Sequence, residues 1–225
     1  DKGAWDRAIA IFEQSLETYE RLGDVHGMAQ TFNNLGLVYA QQGKWDRAIK
    51  MYEQSLETKE RLGDVHGMAQ TFNNLGTVYA DKGAWDRAIA IFEQSLETDE
   101  RLGDVHGTAQ SCGNLGNVYQ QQGAWDRAIA MYQKSLAITE KMGDWVTSAN
   151  QYGNLGILYL QTDRPDEAKP LLARATLIFA QLGSPNQQIA ANALVQAFDG
   201  DVDAANAYLA QVAEAMQETD ESSKT

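Results

Sequence analysis

The stretch FNNLGLVYAQQGKWDRAIKMYEQSLE, residues 32–57, decides the fold of this chain. Its first part places Phe32, Leu35 and Tyr39 at helical spacing on one face, and its second part repeats that pattern from Trp45. Gly43 lies between the two parts, where it can end one helix before the next begins. The pattern therefore predicts two consecutive helices joined by a short turn.

Residues on either side set the limits of these two helices. Asp24 is a good N-cap for a first helix over 24–42, and Gly63 can end a second helix that begins at Trp45. Asp46 lies in the first turn of the second helix, where the helix dipole favours a negative charge. The buried stripe predicted for the second helix is Trp45, Ala48, Ile49, Tyr52, Leu56 and Leu62.

The unit repeats with a period of 40 residues. Residues 1–40 and 81–120 differ at only seven positions, residues 41–80 fit the same register, and residues 121–160 fit it more loosely. Further along, Pro165 and Pro185 fall at predicted helix starts, where proline is favoured. Because one helix pair cannot bury its own apolar face, neighbouring pairs must stack. The sequence predicts an all-α solenoid of stacked antiparallel helix pairs.

The register also predicts the organisation of the chain. We expect a single solenoid over 1–217 and a polar, disordered tail over 218–225. The chain opens on DKGAWDRA, as the unit at 81 does, so we expect it to have been cut from a longer array. The predicted parts of the solenoid are an unpaired second helix at 1–22, full repeats at 24–62, 64–102, 104–142 and 144–182, and a degenerate capping pair at 184–217.

The motif Phe32-x-x-Leu35-Gly36-x-x-Tyr39, followed by Ala48-x-x-x-Tyr52, resembles the tetratricopeptide repeat. The usual repeat has about 34 residues and often ends in proline, whereas this one has 40 and carries RLGD there. The longer form is similar to the repeats of kinesin light chain, of Pins/LGN-type adaptors and of bacterial signalling proteins. The resemblance implies a right-handed superhelix whose first helices line a concave groove.

Composition narrows the class of partner. The chain has 225 residues and a formal net charge of −13, which disfavours nucleic acid and anionic membrane surfaces and favours a neutral or basic protein segment. Cys112 is the only cysteine, so an internal disulfide is excluded and the cytoplasm is the expected compartment.

The first helices carry an unusual polar stripe. Placing Phe32 at the centre of the buried face puts Gln30, Asn34 and Leu37 on the opposite side. The stripe is nearly uncharged and rich in amides, and an amide can both donate to and accept from the backbone of an extended peptide. The equivalent residues of the later units are Gln70, Asn74 and Thr77, then Gln110, Asn114 and Asn117, then Asn150, Asn154 and Ile157.

One asparagine recurs in every unit of this stripe. Asn34, Asn74, Asn114 and Asn154 resemble the asparagine ladder of the O-GlcNAc transferase superhelix, which implies that they hold peptide backbone. The alternative is that these amides satisfy neighbouring helices or connecting loops. The preceding residue is Asn33 and then Asn73 but becomes glycine in the third and fourth units, so we place it at the edge of the groove, where repeats can differ.

Other constellations have simpler interpretations. His26, His66 and His106 lie one repeat apart, about 8–10 Å at helix-packing distances, which is too far to share a metal ion. We therefore expect no metal and no cofactor. The recurring tryptophans, Trp5, Trp45, Trp85 and Trp125, are predicted to lie in the core, and Cys112 replaces Phe32 as a buried thiol.

The sequence favours a non-catalytic binding scaffold that holds an extended peptide in its groove through the asparagine ladder. No nucleophile–base pair or phosphate loop indicates an enzyme. The alternative is a self-associating or regulatory module of a larger protein, acting through its ends, where Trp5, Ile9 and Phe12 would lack a preceding partner helix.

Overall fold

The structure is a computed structural model that describes residues 2–222, with side chains over 3–218. This part of the chain forms eleven α-helices and no strand. They are α1 (Lys2–Leu22), α2 (Val25–Gln41), α3 (Trp45–Leu62), α4 (Val65–Asp81), α5 (Trp85–Leu102), α6 (Val105–Gln121), α7 (Trp125–Met142), α8 (Trp145–Gln161), α9 (Pro165–Gln181), α10 (Asn186–Ala197) and α11 (Val202–Ser222). The predicted all-α repeat class is confirmed.

The helices belong to two compact units, one up to Gln122 and one from Gly123. In the first unit each helix packs on the next, and α2, α4 and α6 also pack side by side. In the second unit, α7 to α11 pack in the same consecutive way, and α8 lies beside α10. Within each unit the pairs stack as a solenoid; the single domain over 1–217 stays a prediction.

Helix ends follow the capping residues of the sequence. The Asp24 side chain accepts a hydrogen bond from the Gly27 backbone N–H at 2.9 Å, and Asp64 and Asp104 make the same bond in their repeats. Gly63 ends α3 with φ 68°, a left-handed conformation that favours glycine. Since α2 and α3 begin and end within a residue of their predicted limits, local capping decides the length of each helix.

The core of a repeat depends on close contact between its two helices. Gly36 of α2 lies so near Tyr52 of α3 that an added Cβ would stand 2.7 Å from the ring. Gly76 and Phe92 pack in the same way. Tyr52 and Phe92 are almost fully buried as a result, which explains why glycine recurs at this position of the motif.

Two predictions about the core are wrong in part. The helical period predicts Leu62 in the buried stripe, but it is 43% exposed. Trp85 and Trp125 are predicted to lie in the core, but they are 38% and 40% exposed. Trp85 is the first residue of α5 and Leu62 the last of α3. Helical periodicity assigns both to the inner face, but at a helix end fewer neighbouring side chains surround that face.

The C-terminal segment is more ordered than expected. Helix α11 continues to Ser222, and Met216 packs against a buried cluster that includes Tyr152 and Phe179. Residues 218–222 of the expected tail are therefore helical, while residues 223–225 lie outside the described residues. Over the described helices, none combines the length and apolar character needed to cross a membrane.

Candidate functional site

In the first unit, nine of the predicted site residues share three neighbouring helices, and we call this set the amide face. Most of its side chains are exposed, but Asn74 and Asn114 are half-buried. The amide face consists of Gln30, Asn34 and Leu37 on α2, Gln70, Asn74 and Thr77 on α4, and Gln110, Asn114 and Asn117 on α6.

Two asparagines of the amide face are held by the preceding repeat. Asn74 donates from Nδ2 to Oδ1 of Asn33 at 3.3 Å, and Asn114 donates from Nδ2 to Oδ1 of Asn73 at 3.2 Å. An asparagine amide has two N–H donors and a carbonyl acceptor. Each bond therefore fixes the orientation of an amide and leaves it one N–H and one oxygen for a further partner.

These bonds change the role assigned to the first asparagine of the motif. Asn73 is only 7% exposed, and its Oδ1 lies 3.3 Å from Ser111 Oγ as well as near Asn114. Asn33 lies in the same way near Thr71 and Asn74. Asn33 and Asn73 thus join adjacent first helices, and their placement at the edge of a groove is corrected.

The glutamines are oriented by histidines one turn earlier. Gln30 Nε2 lies 2.9 Å from His26 Nε2, and Gln70 Nε2 lies 3.2 Å from His66 Nε2. Each pair links a histidine in the first turn of its helix to the glutamine one turn later. In the described part of the chain, no group of three histidine, cysteine, aspartate or glutamate side chains is arranged to hold a metal ion.

Two cavities open beside these residues. One, of about 220 Å³, is lined by Leu37, Asn74 and Thr77, together with Tyr52 and Asp81. It brings three predicted site residues from two repeats together.

The second cavity is larger, about 370 Å³, and includes Gln70 and Gln110 of the amide face. Asp99 and Asp104 also line it. Asp99 was not among the predicted site residues, because it belongs to α5, a second helix. The structure therefore adds a carboxylate to the candidate site.

Asp99 is a buried acid whose hydrogen-bonding partners are hydroxyl groups. Its side chain is 1% exposed, and Oδ2 lies 2.9 Å from Ser111 Oγ and 3.5 Å from Ser95 Oγ. Burial raises the pKa of Asp99 above its usual value, and the nearby charge of Asp104 acts in the same direction. The hydrogen bonds from the serines favour the ionised form but do not cancel this rise.

A sequence signal for Asp99 did exist. Its position holds Tyr19, Lys59, Asp99 and Thr139 in successive repeats, and it is the only position of these four second helices with a different residue in each. Lys59 is also buried, and its Nζ donates to the Gly67 carbonyl at 2.9 Å and to Thr71 Oγ1 at 2.8 Å. Burial lowers the pKa of Lys59, which the charge of Asp64 partly offsets.

The remaining predicted site residues lie on α8 in the second unit. Asn150, Asn154 and Ile157 are half-buried there. Asn150 donates to the Val146 carbonyl at 3.0 Å, and its Oδ1 lies 3.5 Å from Asn186 Nδ2 on α10. In this unit, too, an amide links two first helices.

The three residues expected to form an exposed end, Trp5, Ile9 and Phe12, are half-buried on α1. The neighbouring Ile11 is 61% exposed. By contrast Phe92, which occupies the position of Phe12 in a later repeat, is 2% exposed. Helix α1 is thus less covered than its equivalent α5.

Comparison with solved structures identifies the same architecture in several proteins. The chain is similar to BtubC (BKLC) from P. vanneervenii, with 22% identity, a TM-score of 0.80 and coverage of 95% of this chain and 92% of that one. It is also similar to a Podosopora anserina protein assigned as a kinesin light chain with nearly identical TPR-like repeats, with 20% identity, a TM-score of 0.66 and coverage of 84% and 95%. At these identities the likeness shows the fold alone.

A third similar structure is a signal transduction ATPase with numerous domains and a tetratricopeptide repeat sensor from Pyrococcus horikoshii. It has 18% identity and a TM-score of 0.77, and the match covers 97% of this chain but 34% of that one. No curated protein sequence matches the chain.

Family models give the assignment directly. A tetratricopeptide repeat model matches residues 1–61 and 67–141, and a second model of the same description matches residues 151–174. Together they cover more than half of the chain, including all nine residues of the amide face. The chain belongs to the tetratricopeptide repeat family.

Proposed function

We propose that this protein is a non-catalytic interaction scaffold of the cytoplasm that binds an extended peptide along its amide face. The observation that carries the proposal is the pair of oriented amides, Asn74 and Asn114. Each keeps one N–H and one carbonyl oxygen after bonding to the preceding repeat. An extended peptide offers the complementary N–H and C=O at every residue. Asn34 extends the same row on α2, and Asn154 would act in the same way within its own unit.

Side-chain selection would come from the residues between the amides. The cavity of about 220 Å³ beside Leu37, Asn74 and Thr77 is a site for one peptide side chain. Leu37 is 44% exposed there, so it offers apolar contact within a polar face. A neutral or basic segment fits best, because the protein carries a net charge of −13.

The test begins with a selection of 12-residue peptides displayed on phage against the whole chain. Affinities of the selected synthetic peptides are then measured by fluorescence anisotropy. We expect the double variant Asn74→Ala/Asn114→Ala to bind about tenfold more weakly or worse, because two amide–backbone pairs are lost. The control Gln14→Ala/Gln94→Ala removes two exposed amides from second helices and should leave affinity unchanged.

An unchanged affinity of the double variant would contradict the proposal. If the double variant keeps its affinity while circular dichroism stays native, the amides serve only to join the first helices. The peptide would then bind elsewhere, and the proposal would be wrong.

A second function is favoured by the uncovered surface of α1. Ile11 is 61% exposed and Trp5, Ile9 and Phe12 are half-buried, so this helix can act as an association surface, for contact with another copy or with a further domain of a larger protein. Light scattering coupled to size exclusion would show a dimer that Ile11→Glu dissociates. A monomer at all concentrations would exclude self-association.

A further inference from the structure

The cavity of about 370 Å³ lies among α4, α5 and α6 and opens on the amide face. Gln70 and Gln110, both exposed, form part of its rim, while the buried Asp99 lies deeper. At roughly 30 Å³ per water molecule, a cavity of about 370 Å³ has the volume of about a dozen waters. It can therefore hold one long side chain with its hydration.

The permanently charged side chains that line this cavity are acidic. Asp99 and Asp104 both line it, and none of the described residues that line it is a lysine or arginine. His66 and His106 also line the cavity, and His66 Nδ1 lies 3.5 Å from Asp104 Oδ2. Within the described structure, the carboxylate of Asp99 accepts hydrogen bonds from two serine hydroxyls. A buried carboxylate without a cation is costly, and a cation that enters the cavity relieves that cost.

We call the contact between the second helix of one repeat and the first helix of the next a junction. The junction between α3 and α4, one repeat earlier, shows which cation such a contact accepts. There Lys59 occupies the position of Asp99, and its ammonium contacts the Gly67 carbonyl and the Thr71 hydroxyl. Gly107 and Ser111 stand at the matching positions of the third repeat. Gly107 also allows the carboxylate to come close, since an added Cβ would lie 2.6 Å from Asp99 Oδ1. The surroundings that hold an ammonium in one repeat are thus present in the next, without the lysine.

In the other two repeats, the residue at this position packs or hydrogen-bonds with groups of its own junction. The Tyr19 ring packs on Gly27, where an added Cβ would lie 2.6 Å from the ring. Thr139 pairs with the hydroxyl of Ser148 at 2.9 Å. Among these four equivalent positions, the third repeat alone presents a carboxylate.

We propose that the cavity bounded by Gln70, Asp99 and Gln110 binds the ammonium group of a lysine side chain from the peptide that lies on the amide face. Asp99 supplies the countercharge, and Gly107, which also lines the cavity, supplies a neutral acceptor in its backbone carbonyl. A compact ammonium suits this site better than a guanidinium, because one oxygen of Asp99 already accepts from serine and a bidentate fork is not offered. The identity of the lysine as part of a peptide rests on the function proposed above.

The first experiment tests the cavity without any peptide partner. ¹⁵N-labelled protein is titrated with N-acetyl-lysine N-methylamide and, separately, with its norleucine analogue, which lacks the ammonium. We expect the amide resonances of Gly107 and Gln110 to shift with the lysine probe only. Equal shifts with both probes, or no shift with either, would overturn the proposal.

The second experiment copies the preceding repeat into the cavity. Asp99→Lys/Ser111→Thr places at this junction the residues found at 59 and 71, so the new lysine should fill the cavity from within. We expect this variant to lose the response to the lysine probe. Glu97→Lys makes the same charge change at an exposed position of α5 and should keep it. If the double variant fails to fold, Asp99→Thr, the residue of the fourth repeat, replaces it.

The two proposals can fail separately. In the selected peptides, replacing the critical lysine by norleucine should weaken binding about tenfold or more, and Asp99→Thr should abolish that difference. Peptide binding that ignores the lysine would overturn the cavity assignment and leave the peptide scaffold standing. A response to the lysine probe without any peptide binding would do the reverse. Spermidine serves as a free cation, and tighter binding of spermidine than of the lysine peptide would overturn the peptide as the source.

Discussion

The junction between α3 and α4 and the junction between α5 and α6 have almost the same sequence but bury opposite charges. Lys59 is 5% exposed in one and Asp99 is 1% exposed in the other. Lys59 contacts a backbone carbonyl and a hydroxyl, and Asp99 contacts two hydroxyls. A hydroxyl can accept from an ammonium or donate to a carboxylate, and it does the first at Thr71 and the second at Ser111. One scaffold therefore accommodates either charge.

The two junctions differ in how far the charged side chain reaches and in the space beside it. The long side chain of Lys59 reaches its two acceptors and completes its own junction. Asp99 is shorter, and a cavity of about 370 Å³ lies in front of it. The length of one side chain thus separates a closed junction from an open one.

The largest effect should come from removing the hydroxyl at each junction. Ser111→Ala takes away the closest donor to Asp99 and leaves a buried carboxylate poorly satisfied, so we expect a loss of about 2 kcal/mol in the free energy of unfolding at neutral pH. Thr71→Val at the other junction should cost about 1 kcal/mol, because Lys59 keeps the Gly67 carbonyl. Urea denaturation of both variants measures the difference. Equal losses would show that the charge at 59 or 99 does not matter.

A smaller effect should appear as opposite dependences on pH. The pKa of Asp99 is raised from its ordinary value of 3.8, so its contribution to stability is complete below pH 3.8 and is lost as pH rises through the folded-state pKa. The pKa of Lys59 is lowered from 10.5, so its contribution is complete above pH 10.5 and is lost as pH falls through the folded-state pKa. Asp104 and His66 also act on Asp99, and Asp64 acts on Lys59.

Subtracting the stability of a neutral variant from that of the wild type at each pH isolates the contribution of each charged group. The stability of the wild type minus that of Asp99→Asn should fall from pH 3.5 upward, while the wild type minus Lys59→Met should rise toward pH 10. Two flat difference curves would mean that neither junction shifts the pKa of its charged residue.

The smallest effect is expected at the bonds that join the first helices. Asn33→Ala removes the acceptor of Asn74, while Thr71 keeps the Gly67 carbonyl at 3.0 Å. The lost bonds are neutral and 3.3 Å long, so we expect a loss of about 0.5–1 kcal/mol. Asn34→Ala, at the exposed neighbouring position, should lie within about 0.5 kcal/mol of the wild type. A larger loss at Asn34 than at Asn33 would reverse the roles assigned to the two asparagines.

Capping residues in the sequence were sufficient to predict where the helices begin and end. Asp24, Gly63 and Pro165 act within a few residues of their own position, and the structure has the predicted helix limits there. The same period assigned Leu62 to the core and was wrong, because exposure at a helix end depends on neighbours that periodicity does not describe.

The candidate site could be predicted only in part. The amide face follows from the helical period, and Leu37, Asn74 and Thr77 do line one cavity. The role of Asn73 did not follow, because its partners Ser111 and Asn114 lie 38 and 41 residues away. Asp99 was missed because it belongs to a second helix, and only the packing of α4, α5 and α6 brings it to the first-helix surface.

Because Asp99 comes from α5 and the rim of its cavity from α4 and α6, the side chain that sets the charge of the cavity and the side chains of its rim lie on different helices. A duplicated repeat can therefore keep its first-helix surface while a single substitution on the second helix changes the charge behind it. This position holds Tyr19, Lys59, Asp99 and Thr139 in successive repeats, and Asp99 is the acidic one of the four. If a peptide binds as proposed, a designer could change the side chain preferred at this cavity by a substitution at position 99 alone.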